Sequence, residues 1–158
     1  IYMRDLCGRL KDIAESCKLP PNCIHIELTE SAYTENAELL AAAAGSLREA
    51  GFIIEMDDFG SGYSSLNILK DIDIDILKLD MKFLSGSPEN RKSEIIISSV
   101  INMANKLNIP VLAEGVETKE QADMLLSFGC RYMQGYYFSK PLPEAEYEKL
   151  LDGGGLFV

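Results

Sequence analysis

Two adjacent aspartates, Asp57 and Asp58, end the apolar run IIEMDD, and a loop with Gly60, Gly62 and several hydroxyls follows them. Carboxylates at the C-terminal end of a buried strand, with a pliant loop after them, are what an open metal site on an α/β scaffold needs. The pattern recurs. IHIELTES sets Glu27 and Glu30 at a strand end, ILKLD sets Lys78 and Asp80 at another, and VLAEGVET sets Glu114 and Glu117 at a third. Glu27, Asp57, Asp58 and Glu114 are the candidate metal ligands, and an all-oxygen set points to Mg2+ or Mn2+. Neighbouring aspartates let one carboxylate bridge two ions while the other holds one. Such a pair of ions suits in-line attack of water on a phosphodiester. Taken singly, each acid could cap a helix or face water; the reading rests on their number and their loops.

Other side chains fit around this set. Lys78 lies inside a strand, in phase with Ile76 and Asp80. A buried ammonium needs partners, so Lys78 either holds the attacking water or a phosphate oxygen, or neutralises the acids, or does both. His25 and Glu55 each precede a candidate ligand by two residues, and strand parity turns both inward. They are expected to pair beneath the metal site. Gln134 is placed to hydrogen-bond a ligand. Tyr136, Tyr137 and Phe138 could stack on a base, but at least two of them are expected to be core strand residues. The Gly60-Ser61-Gly62 loop lacks the third glycine of a dinucleotide fingerprint.

The 158 residues suffice for one domain with a real core, and 47% hydrophobic content excludes a disordered chain. A net charge of −10 argues against a DNA or RNA polymer as partner, although a small phosphate ligand held through metal remains compatible. Cys7, Cys17, Cys23 and Cys130 form no Cys-x-x-Cys pair and His25 is the sole histidine, which argues against a zinc site. They read as reduced thiols. No transmembrane run or signal peptide is visible, which indicates a cytoplasmic chain without direct membrane insertion. The start at Ile1, without Met, suggests a piece of a larger protein.

Periodicity predicts a helix over 3–18 with Leu6, Leu10, Ile13 and Cys17 on one face, then a strand over 23–28. A helix from Thr34 or Glu35 to Ala50 follows, stopped by Gly51, and a second strand over 52–57. A short helix leads to a third strand over 75–79. Ser87 and Pro88 open a helix to Leu107 that turns Ile96, Val100, Met103 and Leu107 to one face. A fourth strand covers 110–113, and Thr118 with Gln121 makes a capping box for a helix ending before Gly129. A fifth strand is expected over 132–138 and a last helix from Pro143 to Leu151. Strand–helix alternation implies a parallel sheet. Polar residues at the C-terminal ends of four successive strands converge in a barrel and would spread along an open sheet, so a barrel is favoured.

The segments IELTES, EMDDFGSGYSSL, DILKLD, LAEGVETKEQ and GCRYMQGYYFSKPLP resemble, in order and spacing, the C-terminal two-thirds of the bacterial EAL domain, over residues 1 to 143. The resemblance implies a TIM-barrel-like (β/α)8 fold that hydrolyses cyclic di-GMP to pGpG with Mg2+ or Mn2+. It implies that Glu27 and Asp57 hold a first metal, with Asp57 bridging, and that Asp58 and Glu114 serve a second. Glu114 would also orient or deprotonate the attacking water, which Lys78 contacts. Glu30 would hold the loop from Phe59 to Ser65, and Glu117 and Gln134 would line the substrate pocket.

The family's Glu-Ala-Leu strand and the following strand with its Asn ligand are absent. The chain is therefore expected to be a truncated EAL domain over 1–152 with a flexible tail over 153–158. About five parallel strands and their helices would remain, the first metal site would be incomplete, and the isolated chain would be inactive. Exposed sheet edges predict a homo-oligomer, and the parent protein is expected to carry further regulatory domains. The alternative within the family is a non-catalytic cyclic di-GMP receptor or protein-interaction domain. Outside it stands an Mg2+-and-lysine barrel enzyme of the enolase type.

Overall fold

The computed structural model describes residues 5–60, 65–81 and 91–153. Five strands form one parallel sheet in the order β1-β2-β3-β4-β5: β1 His25–Thr29, β2 Ile53–Asp57, β3 Ile76–Asp80, β4 Val111–Glu114 and β5 Tyr132–Gln134. The helices are α1 Leu6–Ser16, α2 Glu30–Glu35, α3 Ala37–Glu49, α4 Ser65–Asp71, α5 Arg91–Lys106, α6 Lys119–Ser127 and α7 Glu144–Asp152. The α/β fold expected from the strand–helix alternation is present. Among the described residues no helix is long and apolar enough to cross a membrane.

The two faces of the sheet differ in chemistry. Leu28, Ile54, Met56, Leu77, Leu79, Val111 and Ala113 are buried and belong to the core shared with the helices. The alternate residues, Glu27, Glu55, Asp57, Lys78 and Glu114 among them, take the other face because side chains alternate along a strand. Apolar burial at roughly 25 cal/mol per Å2 on one face carries the fold. The other face is thereby released for polar work.

Register is what lines the polar residues up. Asp75 fastens β2 to the entry of β3: its N–H donates to Ile54 O at 2.8 Å, and its Oδ2 accepts from Ile54 N–H at 2.9 Å. Arg48, at the end of α3, clamps the same carboxylate at 2.8 and 3.2 Å. A one-residue slip would turn Lys78 into the apolar core.

Helix ends follow the local chemistry. Gly51 and Gly129 adopt φ 93° and 88° after α3 and α6, a conformation that glycine takes without steric cost. Both hydrogen bonds of the Thr118–Gln121 capping box are formed. The helix expected from Thr34 or Glu35 starts instead at Ala37, behind the extended Asn36, which accepts from Leu39 N–H at 3.0 Å, and a separate helix α2 directly follows β1.

Three expectations are corrected. On α1 the buried residue is Ala14, flanked by Cys7 and Leu10, while Ile13 and Cys17 are exposed. On α5 the buried stripe is Ile97, Ile101 and Ala104, whereas Ile96 and Leu107 are about half exposed. This helix carries two adjacent apolar stripes, and the one with the small Ala104 faces inward. The fifth strand stops at Gln134. Val116 N–H donates to Gln134 O at 3.1 Å and Tyr137 N–H to Val116 O at 3.0 Å, so residues 135–139 turn over the Val116 backbone. Tyr137 and Phe138 still pack against the core, edge to face at 5.1 Å, while Tyr136 is exposed. The expected Ser87–Pro88 helix start, the loop residues Ser61 and Gly62, and the tail after Gly153 lie outside the described residues.

Two glycines should respond oppositely to alanine. A Cβ at Gly135 would lie 2.1 Å from Val116 O and 2.3 Å from Val116 N, both backbone atoms. A Cβ at Gly45, inside α3, meets nothing within 4 Å. Gly135→Ala should cost about 1–3 kcal/mol by forcing the turn apart. Gly45→Ala should add about 0.5–1 kcal/mol through helix propensity. Urea unfolding midpoints of the two variants check both signs.

Candidate active site

The ends of β1, β2, β3 and β4 bring their polar residues together. Glu27 pairs in register with Glu55, Thr29 with Asp57, Asp80 with Glu114, and Glu114 with Gln134. Lys78 pairs with Leu112. A cavity of about 540 Å3 opens on this face, lined by His25, Glu27, Glu55, Lys78, Glu114 and Gln134 together with the apolar Ile76, Pro110, Leu112 and Tyr132.

Lys78 is the hub. Its side chain is 7% exposed, and its Nζ donates to Glu27 Oε1 at 2.5 Å. The same ammonium lies 3.2 Å from Glu114 Oε1 and 3.4 Å from Asp57 Oδ1. Burial alone would lower the lysine pKa. Hydrogen bonds with Glu27 and Glu114, and the charges of Glu114 and Asp57, outweigh burial and raise it above the ordinary lysine value. Lys78 is therefore a fixed cation. Glu114 moves the other way for a carboxylate. Burial raises its pKa, with repulsion from Asp57 and Glu27 adding, and Lys78 offsets this only in part. A carboxylate with a raised pKa is a better proton acceptor than an ordinary one.

Three carboxylates surround one ammonium, which leaves an excess of two negative charges. An all-oxygen donor set with surplus negative charge suits a hard divalent cation. Among the described residues, no three acid, histidine or cysteine side chains are grouped closely enough to hold a metal ion as they stand. The lysine ammonium is the cation they share.

The remaining expected residues are distributed as follows. His25 and Glu55 pair as parity implied, with Nδ1 donating to Oε1 at 2.5 Å. Glu55 is buried and His25 half exposed. Asp58 adopts φ 55° and is exposed, so it leaves the strand direction that Asp57 keeps. Glu30 is buried in the first turn of α2, directly after β1. Glu117 is exposed on the loop after β4, where its N–H donates to Gln121 Oε1 at 2.7 Å. Asp57, Asp58, Glu30 and Glu117 do not line the cavity. Tyr132 does, and its in-phase spacing with Gln134 was the sequence signal for it.

The EAL domain family model matches residues 1–141. The signaling protein YkoW of Bacillus subtilis is 38% identical over 148 residues, covering 94% of this chain and 18% of that protein. The cyclic di-GMP phosphodiesterase NbdA of Pseudomonas aeruginosa is 38% identical over 146 residues, covering 92% of this chain and 19% of that protein. The chain thus spans about a fifth of the length of these relatives. The EAL domain of Mycobacterium smegmatis DcpA superposes with a TM-score of 0.90 at 32% identity, over 99% of this chain and 70% of that one. Klebsiella pneumoniae BlrP1, in a complex with manganese and cyclic di-GMP, superposes with a TM-score of 0.82 at 34% identity, over 89% of this chain and 36% of that one. With a family match along nine-tenths of its length and five parallel strands that follow EAL structures, the chain belongs to the EAL domain family.

Proposed function

We propose that this chain provides the hydrolytic centre of a metal-dependent phosphodiesterase that opens cyclic di-GMP to the linear dinucleotide pGpG. The observation that carries the reading is the sharing of Lys78 among Glu27, Asp57 and Glu114, beside a cavity that Lys78, Glu27 and Glu114 line. The names of NbdA and of the BlrP1 complex supply the substrate class.

Glu27, Asp57, Asp58 and Glu114 are the residues that would hold divalent metal, Mg2+ or Mn2+, in a two-metal arrangement. Bound there, the metal would stabilise negative charge on the reacting phosphodiester and lower the pKa of water. The chain's own groups do the rest. Lys78 donates hydrogen bonds to the attacking water or to a phosphoryl oxygen. Glu114 orients that water and accepts its proton. The water oxygen bonds to phosphorus, one ring P–O bond breaks, and the departing ribose oxygen takes a proton from solvent as the ring opens, while Glu114 returns its own proton to solvent. Gln134 hydrogen-bonds substrate from the neighbouring strand, and Glu117 contributes from the loop after β4. Glu30 supports the loop that leads from Phe59 to Ser65.

The domain acts in the cytoplasm, in keeping with four cysteines that are all free thiols. Self-association is part of the proposal: among the described residues β1 and β5 bound the sheet, and parallel pairing with a second copy can extend either edge.

Hydrolysis of cyclic di-GMP with Mn2+ or Mg2+, compared between this chain and one extended to include the preceding EAL strands, tests the reading, with turnover and binding read in the longer chain. Asp57→Asn should reduce turnover by at least ~100-fold while the fold is kept. Tight binding of cyclic di-GMP without turnover would assign a receptor instead.

Lys78→Met should likewise abolish turnover. It should also lower the melting temperature of the metal-free chain, because three carboxylates then face one another without a cation. Added Mn2+ should recover part of that loss in a thermal-shift assay. Light scattering should return a mass above that of one chain; a monodisperse monomer counts against self-association.

A further inference from the structure

Besides the three carboxylates that share Lys78, a further one, Glu55, lines the cavity. Glu55 is the in-register neighbour of Glu27 and sits opposite Ile76, one inward-facing step below both Asp57 and Lys78. It lines the same cavity as Lys78, and its side chain is 7% exposed. Yet Glu55 does not share the ammonium. Its Oε1 is taken by His25 Nδ1 at 2.5 Å, while Lys78 reaches Glu27, Asp57 and Glu114.

We infer that His25 is a positioning residue for Lys78: by binding Glu55, it keeps this fourth carboxylate off the ammonium and leaves Lys78 to the three acids at the mouth. A buried carboxylate must find a donor. Among the side chains lining the cavity, the charged or imidazole donors are His25 and Lys78. Without His25, Glu55 turns to Lys78 and draws the ammonium down, away from Asp57 and Glu114. A displacement of about 1 Å at a reacting group is enough to cost a large part of a rate.

The inference rests on the proposed role of Lys78 in hydrolysis, and its test separates the two. In a chain extended to include the preceding EAL strands, kcat and KM for cyclic di-GMP with Mn2+ are compared for wild type, His25→Leu, Glu55→Gln and the double variant. Crystal structures of metal-free wild type and His25→Leu give a readout without turnover. His25→Leu should lose at least ~10-fold in kcat with little change in KM. Glu55→Gln alone should stay near wild type, and adding it to His25→Leu should return most of the lost rate, which a purely packing role would not do. The His25→Leu structure should show Lys78 Nζ against Glu55.

An unchanged kcat in His25→Leu, a double variant no better than the single one, or Lys78 still seated on Glu27 in the His25→Leu structure would each overturn the inference. Should His25→Leu alone fail to fold, recovery of a folded chain by adding Glu55→Gln supports it, and failure to recover overturns it. Absence of hydrolysis in a chain extended to include the preceding EAL strands would refute the proposed function, while the two structures would still decide where Lys78 goes.

Discussion

A buried ammonium on the central strand is the constraint around which this structure is arranged. Lys78 emerges from β3, with two strands on either side. Desolvation makes an unpaired charge there untenable. Its partners come from β1, β2 and β4, so one side chain ties together the ends of four strands. That demand can be met only in one register. Side chains alternate along each strand, and shifting β3 by one residue would exchange Lys78 for Leu77 or Leu79. The register lock sits at the opposite end of the sheet, where Asp75 bonds both Ile54 backbone groups and is held by Arg48. A contact remote from the chemistry thus decides which residues meet in the site.

Parallel sheets are ordinarily buried on both faces and read as continuous apolar runs. Here the runs are interrupted, and the interruptions fall in phase. Ile54, Met56, Leu77 and Leu79 are buried in the helix-side core, while Glu55, Asp57, Lys78 and Glu114 share the other side. The core therefore does not depend on the polar face, which is free to hold four acids and a lysine at a cost in electrostatic energy.

Much of this was legible in the sequence because a strand encodes its faces by parity. The pairing of His25 with Glu55 followed from each standing two residues before an acid at a strand end. The Thr118–Gln121 cap followed from residue type and spacing. Helix faces were harder. On α5 two neighbouring stripes are both apolar, and periodicity alone does not say that Ala104 rather than Met103 meets the sheet. The fifth strand was read too long because Tyr136, Tyr137 and Phe138 have strand-forming side chains. The deciding fact is a long-range one: Gly135 lies against the Val116 backbone, and the chain turns there. Lys78 was expected to neutralise the candidate acids, and it contacts Glu27, Asp57 and Glu114; that Asp58 would stand apart was not legible, because its positive φ takes it off the strand.

The imbalance of charge at the mouth explains why the candidate site is tied to a cation. Lys78 compensates one of three nearby carboxylates, and its own pKa is raised by their pull. Glu114 bears the other side of the conflict, with burial and the negative charges of Asp57 and Glu27 disfavouring its ionised form. Neither shift serves stability alone. Apolar residues of the same volume would pack this face more cheaply than acids that repel one another. A divalent ion would relieve the repulsion among Glu27, Asp57 and Glu114 and release Lys78 from full neutralising duty. The repulsion among these acids and the metal binding proposed for them would thus share one origin: carboxylates turned to the same face of a sheet whose register leaves them no other place to go.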